Sequence, residues 1–343
     1  MPQDESIKES LKHYFDVMFN TKLSKSKVAS KFASSNKNTL NKLWKEHHSI
    51  KNHFNLEYDD LAYKKLENIN FSYLDLKIEI AQLILERCIL CEKRCEINRN
   101  LTTGVCGVKE SRIASEFLHM GEERVLVPSH TIFFSGCNFQ CVFCQNYDIS
   151  QNPKLGALIT EKELAKNIDK NRNHGSKNVN FVGGDPTPNL PYILKTMKLV
   201  KENIPVVWNS NFYMSGETMQ LLDGFVDLFL TDFKYGNNKC AKRLSGVDNY
   251  WEVVTRNHKI AQKSGDLIIR HLVLPGHVEC CTKPLIKWIA ENLSKDTVIN
   301  IMGQYRPVYQ ASNYRELRRH VYPEEIIESK KYAKKLGLTN VLG

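Results

Sequence analysis

The run Thr131-Ile132-Phe133-Phe134-Ser135, followed at once by Gly136-Cys137-Asn138-Phe139-Gln140-Cys141-Val142-Phe143-Cys144, places three cysteines with the spacing C-x3-C-x2-C directly behind a short apolar strand. Three is the informative number. Four thiolates close the coordination of a tetrahedral zinc or saturate an ordinary four-iron cluster, whereas three leave one iron of a cubane open to an exogenous ligand. Beyond this stretch, short apolar runs alternate with amphipathic segments, which predicts repeated strand–helix units and a parallel sheet. The predicted strands are 131–135, 179–182, 205–208, 228–231, 267–274 and 298–302. The predicted helices are 161–173, 191–201, 216–222, 250–263, 284–292, 314–321 and 324–335. Pro191 and Pro284 stand where a helix starts, as a fixed φ and a missing N–H permit. The expected fold is α/β, a partial (β/α)6 barrel resembling a TIM barrel.

In such sheets, functional groups gather at the carboxyl ends of the strands. Here the ends carry the three-cysteine loop, Gly183-Gly184-Asp185-Pro186, Asn209-Ser210-Asn211, Asp232-Phe233-Lys234, Pro275-Gly276-His277 and Gly303-Gln304-Tyr305-Arg306. A purely structural barrel needs turn residues at these places, but no paired Asp and Lys and no cysteine trio. Asp232 and Lys234 alternate on a strand end and so point to the same side.

The upstream segment Cys88-x2-Cys91-x3-Cys95-x10-Cys106 offers four more thiols, with Gly104 and Gly107 supplying backbone freedom to wrap a metal centre. Structural zinc and an auxiliary four-iron cluster are both held by four-cysteine sets, and spacing alone does not separate them. The reading leans to iron–sulfur because a cluster-binding loop follows. Cys240, Cys280 and Cys281 lie outside both sets and are read as packing thiols; His277, at a strand end, reads equally as a site residue or as a loop histidine satisfied by backbone. The ten cysteines do not suggest a disulfide framework, since a chain of 343 residues with 42% hydrophobic content can bury its own core.

The net charge of +10 comes from scattered lysines and arginines without a like-charge block, so a nucleic-acid partner has little support. No apolar run reaches the ~18 residues of a membrane span and no signal peptide is legible, so the expected location is cytoplasmic. Residues 1–86 read as a helical extension, with apolar spacing in Leu11-Tyr14-Phe15-Met18 and Leu74-Ile78-Leu83-Ile84 and a loop at Ser34–Asn38. His47 and His48, beside Trp44, read as part of a solvated helix with a buried Trp, because adjacent helical residues face different ways. The expected organisation is 1–86 extension, 87–125 four-cysteine segment, 126–310 core and 311–343 C-terminal helices.

Together, Cys137-x3-Cys141-x2-Cys144 with Phe143 before the last cysteine, and Gly183-Gly184-Asp185-Pro186 at the second strand end, resemble the radical S-adenosylmethionine (SAM) enzymes. From about Cys88 onward the chain is similar to the group related to pyruvate formate-lyase activating enzyme. The four upstream cysteines, the string Arg270–His277 and Asn300-Ile301-Met302-Gly303-Gln304-Tyr305 are similar to one branch of that group. Residues 1–85 lie outside the resemblance.

The resemblance implies that Cys137, Cys141 and Cys144 bind a [4Fe–4S] cluster whose fourth iron takes the amino and carboxylate groups of SAM. It implies reductive cleavage of SAM to a 5′-deoxyadenosyl radical that abstracts hydrogen, with a flavodoxin or ferredoxin as electron donor. Gly183 and Gly184 would let the backbone approach the methionine moiety. Asp185, where the family usually has Glu, would accept from the ammonium group. Phe143 and the Gln145 backbone would lie against the adenine, with Asp232, Lys234, Asn209 and Arg270 around the rest of SAM. The implied reaction is oxidoreductase chemistry of the activating-enzyme kind, with a glycine of a partner protein as target. The alternatives are radical modification of another macromolecule or a small molecule, and a non-catalytic iron–sulfur carrier or sensor.

Overall fold

Six parallel strands carry the alternating runs read from the sequence, and two further strands extend the sheet at its edges. The structure is a computed structural model describing residues 2–35, 39–64, 67 and 69–343; of the Ser34–Asn38 loop, residues 36–38 lie outside the described residues. The N-terminal part holds α1 (Pro2–Ser10), α2 (Lys12–Met18), α3 (Lys25–Ala29), α4 (Leu40–Leu61) and α5 (Tyr73–Ile84). The sheet begins with β1 (Ile113–His119) and β2 (Ser129–Phe134), followed by α6 (Tyr147–Ser150), α7 (Glu161–Asn173), β3 (Asn178–Gly183), α8 (Leu190–Leu199) and β4 (Val206–Ser210). It continues through α9 (Gly216–Leu222), β5 (Leu228–Asp232), α10 (Asn238–Ser245), α11 (Tyr250–Ser264), β6 (Asp266–Leu272), α12 (Lys283–Asn292), β7 (Val298–Met302), α13 (Pro323–Lys335) and β8 (Val341–Leu342). Strands lie in sequence order; β2 through β8 are parallel and β1 is antiparallel to β2. The six parallel strands β2–β7 are the six expected.

Three features depart from the sequence reading. The expected helix 314–321 is replaced by two short 3₁₀ turns, Ala311–Asn313 and Arg315–Arg318. The Leu317 carbonyl there accepts from the Tyr305 hydroxyl at 2.7 Å rather than continuing a helical ladder. Helix α10 escaped the periodicity because it is short and polar; Asn237 caps its start (Oδ1 from Cys240 N, 2.8 Å) and Gly246, with φ of +66°, ends it. The buried residue of the α4 pair is His47 rather than Trp44: His47 is fully buried, with Nε2 3.2 Å from both the Tyr73 hydroxyl and Lys77 Nζ. Burial pushes the Lys77 ammonium down to about 7, so at neutral pH the pair avoids two uncompensated charges.

Helices α1 and α2 plug the barrel. Ile7, Leu11, Tyr14 and Met18 form one apolar cluster with Val207, Leu228, Leu230, Ile268 and Val298, residues near the starts of β4–β7. The other faces of the same strands, including Trp208, Phe229 and Ile269, join the core under the surrounding helices. Asp227, fully buried just before β5, fastens the plug. It accepts from Val206 N (2.7 Å) and Lys25 N (3.0 Å), and Oδ1 lies 2.8 Å from His13 Nε2. Removing one partner of such a set leaves buried donors unpaired. We predict that Asp227→Ala lowers stability by roughly 3 kcal/mol or more and exposes residues 2–29 to protease before the barrel is cut; an unchanged denaturation midpoint and cleavage pattern would refute this.

Candidate metal and cofactor site

The cysteine loop leaves β2 through a turn that only glycine fits. Gly136 has φ of +87°, and a Cβ there would lie 2.3 Å from Val108 Cγ2 and 2.8 Å from the Cys106 carbonyl oxygen. The loop is then held from outside: Gln140 N donates to Ser245 O (3.1 Å), Val142 N to Leu244 O (2.9 Å) and Gln310 N to Val142 O (2.9 Å). Cys137 Sγ accepts from Phe139 N (3.4 Å) and Asn211 Nδ2 (3.7 Å). Cys141 Sγ lies 2.9 Å from Ser245 Oγ, and Cys144 Sγ lies 3.3 Å from Ser150 Oγ.

All three thiols face one cavity of about 420 Å³, with Phe143, Gln145, Gly183, Gly184, Asn209, Asp232, Lys234 and Arg270 in its walls. Burial pushes the Cys137 thiol well above its ordinary value and Cys141 up to about 12, so the pocket by itself disfavours thiolates; a bound cation reverses that preference. Lys234 Nζ lies 2.7 Å from Asp232 Oδ2, and Arg270 Nε donates to Asp232 Oδ1 at 3.2 Å. Burial acts to raise the Asp232 carboxyl, but Lys234 and Arg270 outweigh it and hold the carboxyl below the usual range. The Asn209 carbonyl oxygen accepts from Arg270, while Asn209 Nδ2 is buried without a partner.

Asp185 is the exception among the sequence-named SAM contacts. It is buried behind the glycine pair, where Oδ1 accepts from Thr187 N (2.9 Å) and Oδ2 from Ser210 Oγ (3.0 Å) and Asn211 N (2.9 Å). Its carboxylate ties the end of β3 to the end of β4 and does not line the cavity. The glycines, which also line the cavity, are tightly packed against protein backbone. Added Cβ atoms would meet the Phe134 backbone at 2.1 Å for Gly183 and the Gly136 carbonyl oxygen at 2.1 Å for Gly184. The cysteine loop and its strand therefore approach this glycine pair closely. Gln145 is exposed, with Nε2 donating to Gln304 O at 3.1 Å.

The sequence reading missed a wall of this cavity. The segment after β1 runs along the barrel's inner face: Glu122 Oε1 accepts from Asn180 Nδ2 (3.2 Å), Glu122 Oε2 pairs with Arg270 (3.4 Å), and Glu123 Oε1 accepts from Asn300 Nδ2 (2.9 Å). Burial raises the Glu122 carboxyl. His119 and Glu122 line the cavity with Met302 and Gln304. No motif announces this segment; its residues become interior because β1 pairs antiparallel at the sheet edge.

The upstream set also converges. Cys88, Cys91, Cys95 and Cys106 line a second, small cavity with Thr187 and Pro188, the residues that follow Asp185. Arg99, buried, braces it by donating to Val108 O (2.9 Å) and Pro188 O (2.8 Å). Burial pushes Cys91 up to about 12, against hydrogen bonds from the Lys93 amide and the Asn138 side chain. Asn138 follows Cys137 directly, so one side chain separates the two cysteine sets.

The family model described as the Radical SAM superfamily matches residues 131–289. The chain is 50% identical over 305 residues to the uncharacterized protein MJ0674 of Methanocaldococcus jannaschii, covering 87% of this chain and 89% of that one. This chain belongs to the radical SAM superfamily. A more distant relative is the pyruvate formate-lyase 1-activating enzyme of Escherichia coli, 25% identical over 150 residues, or 42% of this chain and 60% of that one. Among solved structures, Streptococcus suis SuiB bound to S-adenosylmethionine matches with a TM-score of 0.45 at 15% identity, over 58% of this chain and 44% of that chain. The same protein bound to precursor peptide SuiA matches with a TM-score of 0.45, over 60% and 46%.

A radical SAM enzyme works with a [4Fe–4S] cluster and SAM, and the residues present fit both. Three thiols share one cavity with an unpartnered amide nitrogen and a charged Asp232–Lys234–Arg270 group, and among the described residues no fourth cysteine lines that cavity. Cys137, Cys141 and Cys144 would hold the cluster; Asn209, Asp232, Lys234 and Arg270 are the polar groups available to SAM. Among the described residues, no helix is long and apolar enough to cross a membrane.

Proposed function

We propose that this radical SAM enzyme takes hydrogen from a polypeptide substrate, with the Cα of a glycine in a glycyl-radical enzyme as the leading target. When bound, the reduced cluster supplies the electron that cleaves SAM to methionine and a 5′-deoxyadenosyl radical. The protein's own contribution is to hold the three thiols, orient SAM and exclude water. The observation that carries the reading is the cavity volume of about 420 Å³. It lies near the lower end of the range for one drug-sized ligand. The cluster and SAM together take most of it, and the substrate's reacting carbon has to enter from the mouth as part of something larger. Tyr147 and Tyr309, both exposed, stack at 5.0 Å beside the cysteine loop and offer that larger partner an aromatic lip. The distant likeness to the activating enzyme supports glycine as target.

A second reading, radical modification of another macromolecule, draws on the upstream cysteines. Asn138 stands between Cys91 and Cys137, which suits a second cluster, or alternatively a zinc, that relays electrons or anchors substrate beside the first. A flavodoxin or ferredoxin in the cytoplasm is the proposed reductant.

Anaerobic reconstitution with iron and sulfide, followed by dithionite and SAM, is expected to yield methionine and 5′-deoxyadenosine; none from fully loaded protein would eliminate enzymatic cleavage and leave a carrier or sensor. With a Cα-deuterated glycyl-radical enzyme from the same organism, deuterium should reach 5′-deoxyadenosine and a glycyl radical should be seen by electron paramagnetic resonance. Cleavage without either signal would move the assignment to the second reading.

A further inference from the structure

Outside both cysteine sets, three thiols and an imidazole from distant parts of the chain meet at one point. Cys240 lies in the first turn of α10, whereas His277, Cys280 and Cys281 belong to the β6–α12 connection, where Val278–Thr282 forms a single π-helical turn. Such turns are rare and occur frequently at functional sites. His277 Nδ1 lies 3.7 Å from Cys240 Sγ, 3.3 Å from Cys280 Sγ and 3.6 Å from Cys281 Sγ. Cys280 Sγ is 3.9 Å from Cys240 Sγ and 3.8 Å from Cys281 Sγ. All four ligand atoms lie within 4.8 Å of one another, and among the described residues no other group of three or more His, Cys, Asp or Glu does so.

These are the edges of a tetrahedron of zinc size. With Zn–S near 2.3 Å and Zn–N near 2.0–2.1 Å, tetrahedral geometry sets S···S at about 3.8 Å and S···N at about 3.6 Å. We propose that Cys240, His277, Cys280 and Cys281 form a Cys3His site for one Zn²⁺, separate from both cysteine sets. The surroundings are those of a built metal site. His277 is buried with Nδ1 turned to the thiols, and its Nε2 lies 3.4 Å from Arg243 Nη2 and 3.6 Å from Glu316 Oε1; a metal on Nδ1 leaves the ring proton on Nε2, where the Glu316 carboxylate is the acceptor at hand. Glu316 is itself held by Arg243. Asn237 Nδ2 donates to Cys280 O at 2.7 Å and reaches Cys281 Sγ at 3.9 Å. Gly236 allows the two segments to meet, since a Cβ there would lie 2.5 Å from Cys281 O. Four protein ligands make a closed, structural site.

The ion has a mechanical consequence. It fastens the first turn of α10 to the β6–α12 connection, and the last turn of α10 holds the core cysteine loop: Ser245 O and Leu244 O accept from Gln140 N and Val142 N, and Ser245 Oγ touches Cys141 Sγ. A zinc clamp little more than one helical turn away thereby sets the outer wall of the cluster loop.

The test uses the full chain purified anaerobically. Anomalous diffraction recorded on both sides of the zinc edge should place one zinc between Cys240 Sγ and His277 Nδ1, a position that zinc in the upstream set cannot mimic. His277→Ala and Cys281→Ser should each lose one zinc equivalent per chain with iron content unchanged. Glu316→Gln, which keeps all four ligands, should weaken zinc binding by roughly 10–100-fold in competition with a chromophoric chelator. A map without zinc at that point, a disulfide joining Cys240 to Cys280, or zinc content insensitive to both ligand substitutions would overturn the proposal.

Discussion

Cys141→Ala is expected to abolish SAM cleavage and to remove about four irons per chain, because the site has no spare ligand. Among the described residues the only thiols lining that cavity are Cys137, Cys141 and Cys144, and the Cys88–Cys106 set and the Cys240 cluster face cavities of their own. Cys141 is the buried member of the three, with Ser245 Oγ at 2.9 Å and the Lys234 charge acting to favour its ionised form against burial. Ser245→Ala is the informative companion. It removes an outer hydrogen bond but no ligand, so iron should be retained and activity fall by no more than about 100-fold. Iron and sulfide analysis beside methionine and 5′-deoxyadenosine yields separates the two. Retention of a full cluster and turnover in Cys141→Ala would show that the trio is not the catalytic ligand set.

The parts of this site that the sequence announces are those encoded in neighbouring residues. Spacing within one loop identifies Cys137, Cys141 and Cys144, and apolar runs of strand length locate β2–β7 to within a few residues, since strands buried on both faces need continuous apolar side chains. Asp232 and Lys234, alternating on a strand end, both line the cavity. What stayed hidden depends on packing between distant segments. Helices α1 and α2 read as an amphipathic extension, and periodicity shows that a face is buried without saying against what; the barrel interior as its partner is a tertiary fact. Cys240 and His277 are 37 residues apart, brought together because β5 and β6 are neighbours, so neither looked like a ligand alone. Asp185 sits at a position where a shorter acid reaches the adjacent strand ends instead of the cavity. Glu122 became a cavity residue only through the edge strand β1, whose short polar-alternating run lacks the apolar weight of the central strands.

Gly183→Ala is expected to destabilise the fold itself, which separates the glycine pair's structural role from a purely ligand-facing one. Gly183 ends β3 opposite Phe134 with φ of +125°, outside the region open to L side chains. A Cβ there would lie 2.2 Å from Phe134 N and 2.1 Å from Phe134 O. Both obstacles are backbone of the adjacent strand, so relief requires moving β2, and with it the loop that begins at Gly136. Backbone strain of this kind costs on the order of 1–3 kcal/mol and overpacking a comparable amount; the sum, roughly 2–6 kcal/mol, is a large fraction of the stability of an ordinary domain. Gly184→Ala should act in the same direction, with its Cβ 2.1 Å from Gly136 O and 3.0 Å from Ser150 Cα. Denaturant midpoints by circular dichroism on the apo chain report the effect without any cofactor present. If the glycines served only to admit SAM, Gly183→Ala would keep the wild-type midpoint and lose SAM binding alone; the contacts at Phe134 predict that the midpoint falls first.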